Sequence, residues 1–262
     1  LNHASIIEGA RLSFAKQYKY AHNDMEALEK YLENCESDKI KLIVADGVFS
    51  MEGDEVKLPE MVKLAKKYNA SIMIDEAHCL GVFGDKGKGI CDYFGLSNDV
   101  DLIMGTFSKS LATIGGFIAA DKDIINYLKH NSRTLIFSAS ITPASTGCVL
   151  AALDVMERET WRKDALWANT NRMRKALQDK GFDTGHSTTP IIPLYVRDNT
   201  KTFILTRDLM NDGVFVNPVV SPAVPSEDTL IRISLMATHT FDQIDEAVEK
   251  IAKNARNLGI IE

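Results

Sequence analysis

The sequence has no apolar run approaching the ~18 residues that a membrane span needs, and it opens on LNHASIIEGA rather than on a basic and then apolar leader. Its four cysteines, Cys35, Cys79, Cys91 and Cys148, show no CxxC or metal-type spacing. That argues against a disulfide framework and a metal site, and fits free thiols in a reducing, cytoplasmic setting. Positive charge is neither in excess nor clustered: 30 Lys and Arg stand against 36 Asp and Glu, a formal net charge of −6, so a nucleic-acid partner is not expected. No GxxxxGK[ST] loop is present to cradle nucleotide phosphates, so the DEAH at 75–78 does not make an NTPase. Internal repeats and low-complexity segments are also missing. There is no initiating methionine, and the opening stretch is motif-like from its second residue, so the chain is read as a piece of a longer polypeptide.

What is present is an ordinary globular composition, 45% hydrophobic and 25% charged over 262 residues, enough to bury a core. Short apolar, β-branched runs at 41–50, 71–78, 100–109 and 115–122 read as buried strands. Helical patterns lie between them. One begins near HNDMEALEKYLENC, where Asn23 and Glu26 have capping-box spacing; another is LPEMVKLAKKYN, with Pro59 at an early helical position. This alternation predicts a mostly parallel sheet covered on both faces by helices. After Pro143 come two long helical stretches, then strands at 190–196, 214–220 and 229–236, a helix near 200–212 and a closing helix from Phe241. The expected organisation is a large α/β domain over 1–156 and a small α+β domain over 157–262.

Two strand ends carry chemistry. One is IDEAH, with Asp75, Glu76 and His78; the other is GTFSK, with Thr106, Ser108 and Lys109. Glycine-rich turns at strand ends are where α/β proteins place phosphorylated ligands. A lysine able to bond a cofactor aldehyde, with an acid about thirty residues before it to hold a pyridinium nitrogen, supplies two of the groups that pyridoxal phosphate (PLP) requires. Taken alone, Lys109 reads as a surface lysine and Asp75 as a turn cap; together, and in this order, they read as a cofactor pair.

In order and spacing, NHASIIEG, DGVFSMEGDEV, DEAHCLGVFGDKGKG, GTFSKSLATIGGFIA, FSASITPAS and RISLMATHT resemble the α-oxoamine synthases. These are fold-type-I PLP-dependent transferases that condense an amino acid with an acyl-CoA and lose carbon dioxide. The resemblance covers essentially the whole chain and starts part-way into a family chain. It implies that a portion with a glycine-containing, phosphate-holding loop precedes Leu1. It further implies that Lys109 anchors the cofactor and acts as the base for the α-proton, that Asp75 pairs with the ring nitrogen, and that His3 stacks on the ring. Ser50 and His78 are placed near the phenolic oxygen, Thr106 and Ser108 at the phosphate, and Arg232 at the substrate carboxylate. Ser138 and Ser140 either reach the phosphate of the partner in a homodimer with shared active sites or are plain turn hydroxyls. No metal is implied. His239 and the apolar stripe at 148–155 read as structural, and Cys79 as a small buried residue.

Within the family, GTFSKSLATIGG and NPVVSPAVPSEDTLIRIS resemble most the bacterial branch that joins serine to palmitoyl-CoA and forms 3-ketodihydrosphingosine. Glycine C-acetyltransferase and 8-amino-7-oxononanoate synthase are the nearest alternatives. Where other members carry an arginine before a PPATP-like loop, this chain has Val220 and Ser221, so a carboxylate contact made there is not expected. A catalytically silent partner subunit is the reading from another class; it is expected to lack the lysine that stands here as Lys109.

Overall fold

The computed structural model describes residues 1–262. The apolar runs form β1 (Leu42–Asp46), β2 (Ser71–Asp75), β3 (Leu102–Thr106) and β4 (Gly116–Ala120), hydrogen-bonded in that order. β1, β2 and β3 are parallel, with Asp46 opposite Asp75 and Asp75 opposite Met104. β4 runs antiparallel to β3. Only the loop at 107–115 joins the two, and a parallel return needs a crossover of about a dozen residues or more. The sheet is therefore mixed: parallel order holds for three strands and reverses at the fourth. Each strand is also shorter than its apolar run, because the residues after its end turn out to form loops.

Helices α1 (Ala4–Leu12) and α2 (Met25–Glu33) precede β1, and α3 (Leu58–Tyr68) connects β1 to β2. α4 (Ile90–Tyr93) lies between β2 and β3, while α5 (Lys122–Asn131), α6 (Arg133–Ile136) and α7 (Pro143–Arg158) follow β4. In α3 the apolar Leu58, Met61, Val62 and Ala65 recur at i, i+3, i+4 and i+7, and all four are buried. Pro59 occupies the first turn, where no intrahelical N–H is needed, and Asn69 ends the helix in the left-handed conformation at φ 49°.

The capping expected at Asn23 falls instead to Asp24, which accepts the Ala27 N–H at 2.9 Å. Asn23 is itself left-handed (φ 52°) and accepts from the Lys57 N–H at 3.3 Å; an N-cap needs the extended backbone that Asp24 has. In α7, Val149 packs with Leu80 and Leu111 as core, whereas Leu150 points to solvent.

The chain divides into two compact units, residues 1–49 with 56–160, and residues 50–55 with 161–262. The first holds β1 to β4 and α1 to α7. The second holds α8 (Trp161–Asp179), β5 (Ile191–Tyr195), α9 (Asn199–Asn211), β6 (Asn217–Val219), β7 (Leu230–Ser234) and α10 (Phe241–Asn257). Its strands form an antiparallel sheet in the order β5, β7, β6. α10 starts with a capping box between Thr240 and Gln243, and lays Ile244, Val248 and Ile251 on a core that includes Leu177, Ile192, Leu194 and Leu205. The stretch 50–55 is tied in by Gly53, whose carbonyl accepts from Thr188 (3.1 Å) and Thr189 (3.2 Å). Gly53 has φ 68°, and a Cβ there would sit 2.2 Å from the Ile191 carbonyl oxygen, so glycine alone fits.

Leu194 is fully buried in this core. Leu194→Ala is expected to destabilise the second unit by about 2–5 kcal/mol, the sum of lost transfer energy and a residual cavity. The check is denaturant unfolding: the midpoint should fall with the slope unchanged. No helix in the structure is long and apolar enough to cross a membrane.

Candidate active site

β1, β2 and β3 run parallel, so their carboxyl ends share one edge of the sheet, where open α/β sheets bind ligands. There, His3, Asp46, Asp75, His78, Thr106 and Lys109 line a cleft with ≈ 360 Å³ of space continuous with solvent. Five of these were singled out in the sequence; Asp46 was not.

Asp75 is the last residue of β2 and is 5% exposed; its Oδ1 accepts the Ala77 N–H at 2.9 Å, which fixes the carboxylate's orientation. His78 follows one turn later and is half-buried. Between them, Glu76 does structural work: its two carboxylate oxygens accept the N–H groups of Ile90 (2.7 Å) and Cys91 (2.8 Å) at the start of α4. Gly89 makes room for it, since a Cβ there would lie 2.4 Å from Glu76 Oε2. Cys79 is fully buried, and burial, with Glu76 beside it, pushes its thiol well up, so it stays protonated.

Lys109 sits on the tight loop that reverses the chain between β3 and β4. Phe107 N–H donates to Gly115 O (2.9 Å), Thr113 N–H to Phe107 O (2.9 Å) and Ala112 N–H to Lys109 O (3.1 Å). At the neck of this loop, Gly116 leaves no room for a side chain: a Cβ would come within 2.7 Å of Gly105 O. Ser110 Oγ donates to the Leu80 carbonyl at 2.6 Å, which fastens the lysine loop to the loop that carries His78. Thr106, at the end of β3, has a buried Oγ1 with no protein partner.

His3 caps α1. Its Nδ1 lies 2.8 Å from Ser5 Oγ, its ring is exposed, and its backbone N–H donates to Asp46 Oδ2 at 2.9 Å. Asp46 ends β1 and is 4% exposed. Burial first, and the neighbouring Asp75 second, push its carboxyl up to about 7. In sequence Asp46 is one residue inside the 41–50 strand run, with no task assigned to it; the signal that could have found it is that it closes a strand register with Asp75.

Ser108, Ser138, Ser140, Ser50 and Arg232 are the other residues expected from the sequence. Ser108, Ser138 and Ser140 are exposed and do not line the cleft, and the Ser138 hydroxyl donates to the Thr134 carbonyl. Ser50 and Arg232 belong to the second unit, where Arg232 Nε donates to the Ser50 carbonyl (2.7 Å) and Nη1 to Ser234 Oγ (3.0 Å). Burial lowers the Arg232 pKa from its usual value.

The donor set in the cleft suits one kind of group. An amine, a buried carboxylate, two imidazoles and a buried hydroxyl lacking a partner match a phosphorylated pyridine that bears an aldehyde. Lys109 could hold the aldehyde, Asp75 the ring nitrogen, His3 a ring face, His78 the phenolic oxygen and Thr106 a phosphate oxygen.

Comparison with known proteins agrees with this chemistry. The profile of the aminotransferase class I and II family matches residues 1–251, and the chain belongs to that family. It is 59% identical to the serine palmitoyltransferase of Bacteroides ovatus over 99% of its own length and 66% of that protein's. It is 42% identical to the 8-amino-7-oxononanoate synthase of Thermosipho melanesiensis, over 100% of this chain and 67% of the other. Among solved structures, a variant of S. paucimobilis serine palmitoyltransferase with bound PLP-myriocin superposes with a TM-score of 0.95 at 32% identity, covering 99% of this chain and 66% of that one. The fold is thus that of the fold-type-I PLP transferases, and the chain spans about two thirds of the length of these relatives.

Proposed function

We propose that this chain is the catalytic portion of a PLP-dependent α-oxoamine synthase that condenses serine with palmitoyl-CoA, giving 3-ketodihydrosphingosine, CoA and carbon dioxide. The convergence of Lys109, Asp75, His3, His78 and Thr106 on one cleft carries this reading. The choice of serine and palmitoyl-CoA is supported by the greater likeness to a serine palmitoyltransferase than to an 8-amino-7-oxononanoate synthase.

PLP, when bound, supplies an electron sink for carbanion chemistry at the α-carbon of an amino acid. Lys109 Nζ would hold its aldehyde and would serve as the general base for the α-proton. Asp75, buried at the end of β2, would pair with the ring nitrogen. His3 presents its exposed ring for stacking, and Thr106 gives its unpaired hydroxyl to the phosphate. Arg232, part-buried and braced by Ser50 and Ser234, is assigned the substrate carboxylate, a task suited to a forked guanidinium. With Val220 and Ser221 in place of the family's arginine, that grip rests on Arg232.

A homodimer in a cytoplasmic setting completes the reading. It is supported by four free cysteines and by the exposed apolar side chains of Leu135, Ile136, Phe137 and Ile141 beside Ser138 and Ser140. In that dimer the two serines serve the partner's phosphate site.

The test is release of CoA thiol by the full-length protein supplied with PLP. Release with serine plus palmitoyl-CoA, and not with glycine plus acetyl-CoA, is expected. Release with the second pair alone would move the enzyme to a different amino ketone, and release with neither would overturn the acyl-CoA reading.

A further inference from the structure

Asp46 is the carboxyl of the cleft to which the chemistry above gives no task. It ends β1 as Asp75 ends β2, and the two are direct partners in the parallel register. Their side chains therefore leave the same face of the sheet, on strands about 4.8 Å apart. Both are buried. Two carboxylates so placed resist ionising together.

Their surroundings decide which gives way. Asp75 receives the Ala77 N–H from its own turn. Asp46 receives the N–H of His3, a residue remote in sequence, on Oδ2, and its Oδ1 is buried with no partner. Asn2 fastens the same segment beside it: its Nδ2 donates to Val44 O at 2.8 Å and its Oδ1 accepts the Asp46 N–H at 3.3 Å. The residues that bring the His3 ring to the cleft are thus tied to the end of β1, and Asp46 makes one of those ties with its side chain. The charged side chains that act on Asp46 are Asp75 from β2 and Lys109 from the β3–β4 loop.

We propose that Asp46 is a positioning residue: its carboxyl holds the His3 segment at the cleft and carries the proton of the Asp46–Asp75 pair, so that a single negative charge faces the ligand. Burial and the Asp75 charge favour that proton more than the His3 N–H and Lys109 oppose it. The consequence for cofactor binding rests on the cleft being a PLP site; the placement of the proton does not.

The experiment compares Asp46→Asn, which keeps an oxygen for the His3 N–H and is neutral at any pH, with Asp46→Leu, which offers no acceptor. PLP is titrated into the full-length apoprotein and followed by absorbance. The Asn variant is expected to bind within about threefold of wild type, and the Leu variant about tenfold or more weaker, because it strands a backbone donor. Placed in a His3→Ala background, the Leu change should add less than about twofold, since it acts through His3. An Asn variant as weak as the Leu variant, or full additivity with His3→Ala, would overturn the positioning role.

A second readout needs no PLP. An acid held more tightly folded than unfolded makes the wild type lose stability as pH rises from the ordinary aspartate value of 3.8 towards about 7. Asp46→Asn has no such loss. Its advantage in Tm over wild type should therefore widen by a few degrees between pH 5 and pH 8. A constant gap overturns the proton assignment. If the wild type takes up no PLP, the reading of the cleft fails while the pH comparison still decides where the proton resides.

Discussion

Lys109→Ala is expected to abolish covalent retention of PLP and to remove CoA release. The lysine has two assigned tasks, anchor and base, and loss of a positioned general base alone costs about 10²–10⁴-fold in rate. The fold should survive the change. Lys109 is exposed, and its loop is closed by backbone hydrogen bonds among Phe107, Lys109, Ala112, Thr113 and Gly115 that the side chain does not make. Stability should therefore stay within about 0.5 kcal/mol of wild type. Borohydride reduction followed by peptide mass spectrometry provides the check: wild type should carry a PLP adduct on the peptide containing Lys109, and the variant none. A variant that still released CoA at the wild-type rate would sink the assignment, however good its structure.

Asp75→Asn is expected to be nearly as damaging, for an electrostatic reason. The amide can still accept the Ala77 N–H, so the turn into DEAH persists, but it cannot pair with a ring nitrogen that bears a proton. Breaking a buried charge pair by removing one partner costs about 3–5 kcal/mol, which corresponds to roughly 10² to nearly 10⁴ in rate. Steady-state kinetics should show the loss mainly in kcat, with protein folding and gross PLP uptake retained. A side effect follows for the neighbouring strand: Asp75 is the second cause that holds Asp46 up at about 7, so the Asp46 carboxyl should ionise at lower pH in this variant. Wild-type turnover by Asp75→Asn would leave the ring nitrogen without its proposed partner.

Much of this was readable in one dimension. The alternation of apolar runs with helical patterns marked β1 to β3, because parallel strands buried on both faces show as continuous Val, Ile and Leu. Lys109, Asp75, His78, His3 and Thr106 stood out by motif and meet at one cleft. What escaped depends on pairings far apart in the chain. Asp46 matters because of its register with Asp75, and neither LIVAD nor SIMID announces the other. Ser50 to Glu55 belong with the second unit through hydrogen bonds from Thr188 and Thr189 to Gly53, contacts across more than a hundred residues that leave no local mark. Glu76 looked like chemistry in DEAH and serves as an anchor for α4, since its acceptors meet N–H groups that sequence cannot place. The capping of α2 shifted by one residue, from Asn23 to Asp24, because side-chain type suits both and only backbone conformation separates them.

The Ser110 to Leu80 hydrogen bond also bears on how the cleft moves. It joins the β3–β4 hairpin to the loop after β2 at a point where Gly81 has no side chain to hold them apart; a Cβ at Gly81 would lie 2.7 Å from Ser110 Cβ. Two surface loops would ordinarily open as separate low-energy fluctuations. Fastened here by one hydrogen bond, worth about 1 kcal/mol, the two loops are biased to open together rather than apart, and that joined pair carries both Lys109 and His78.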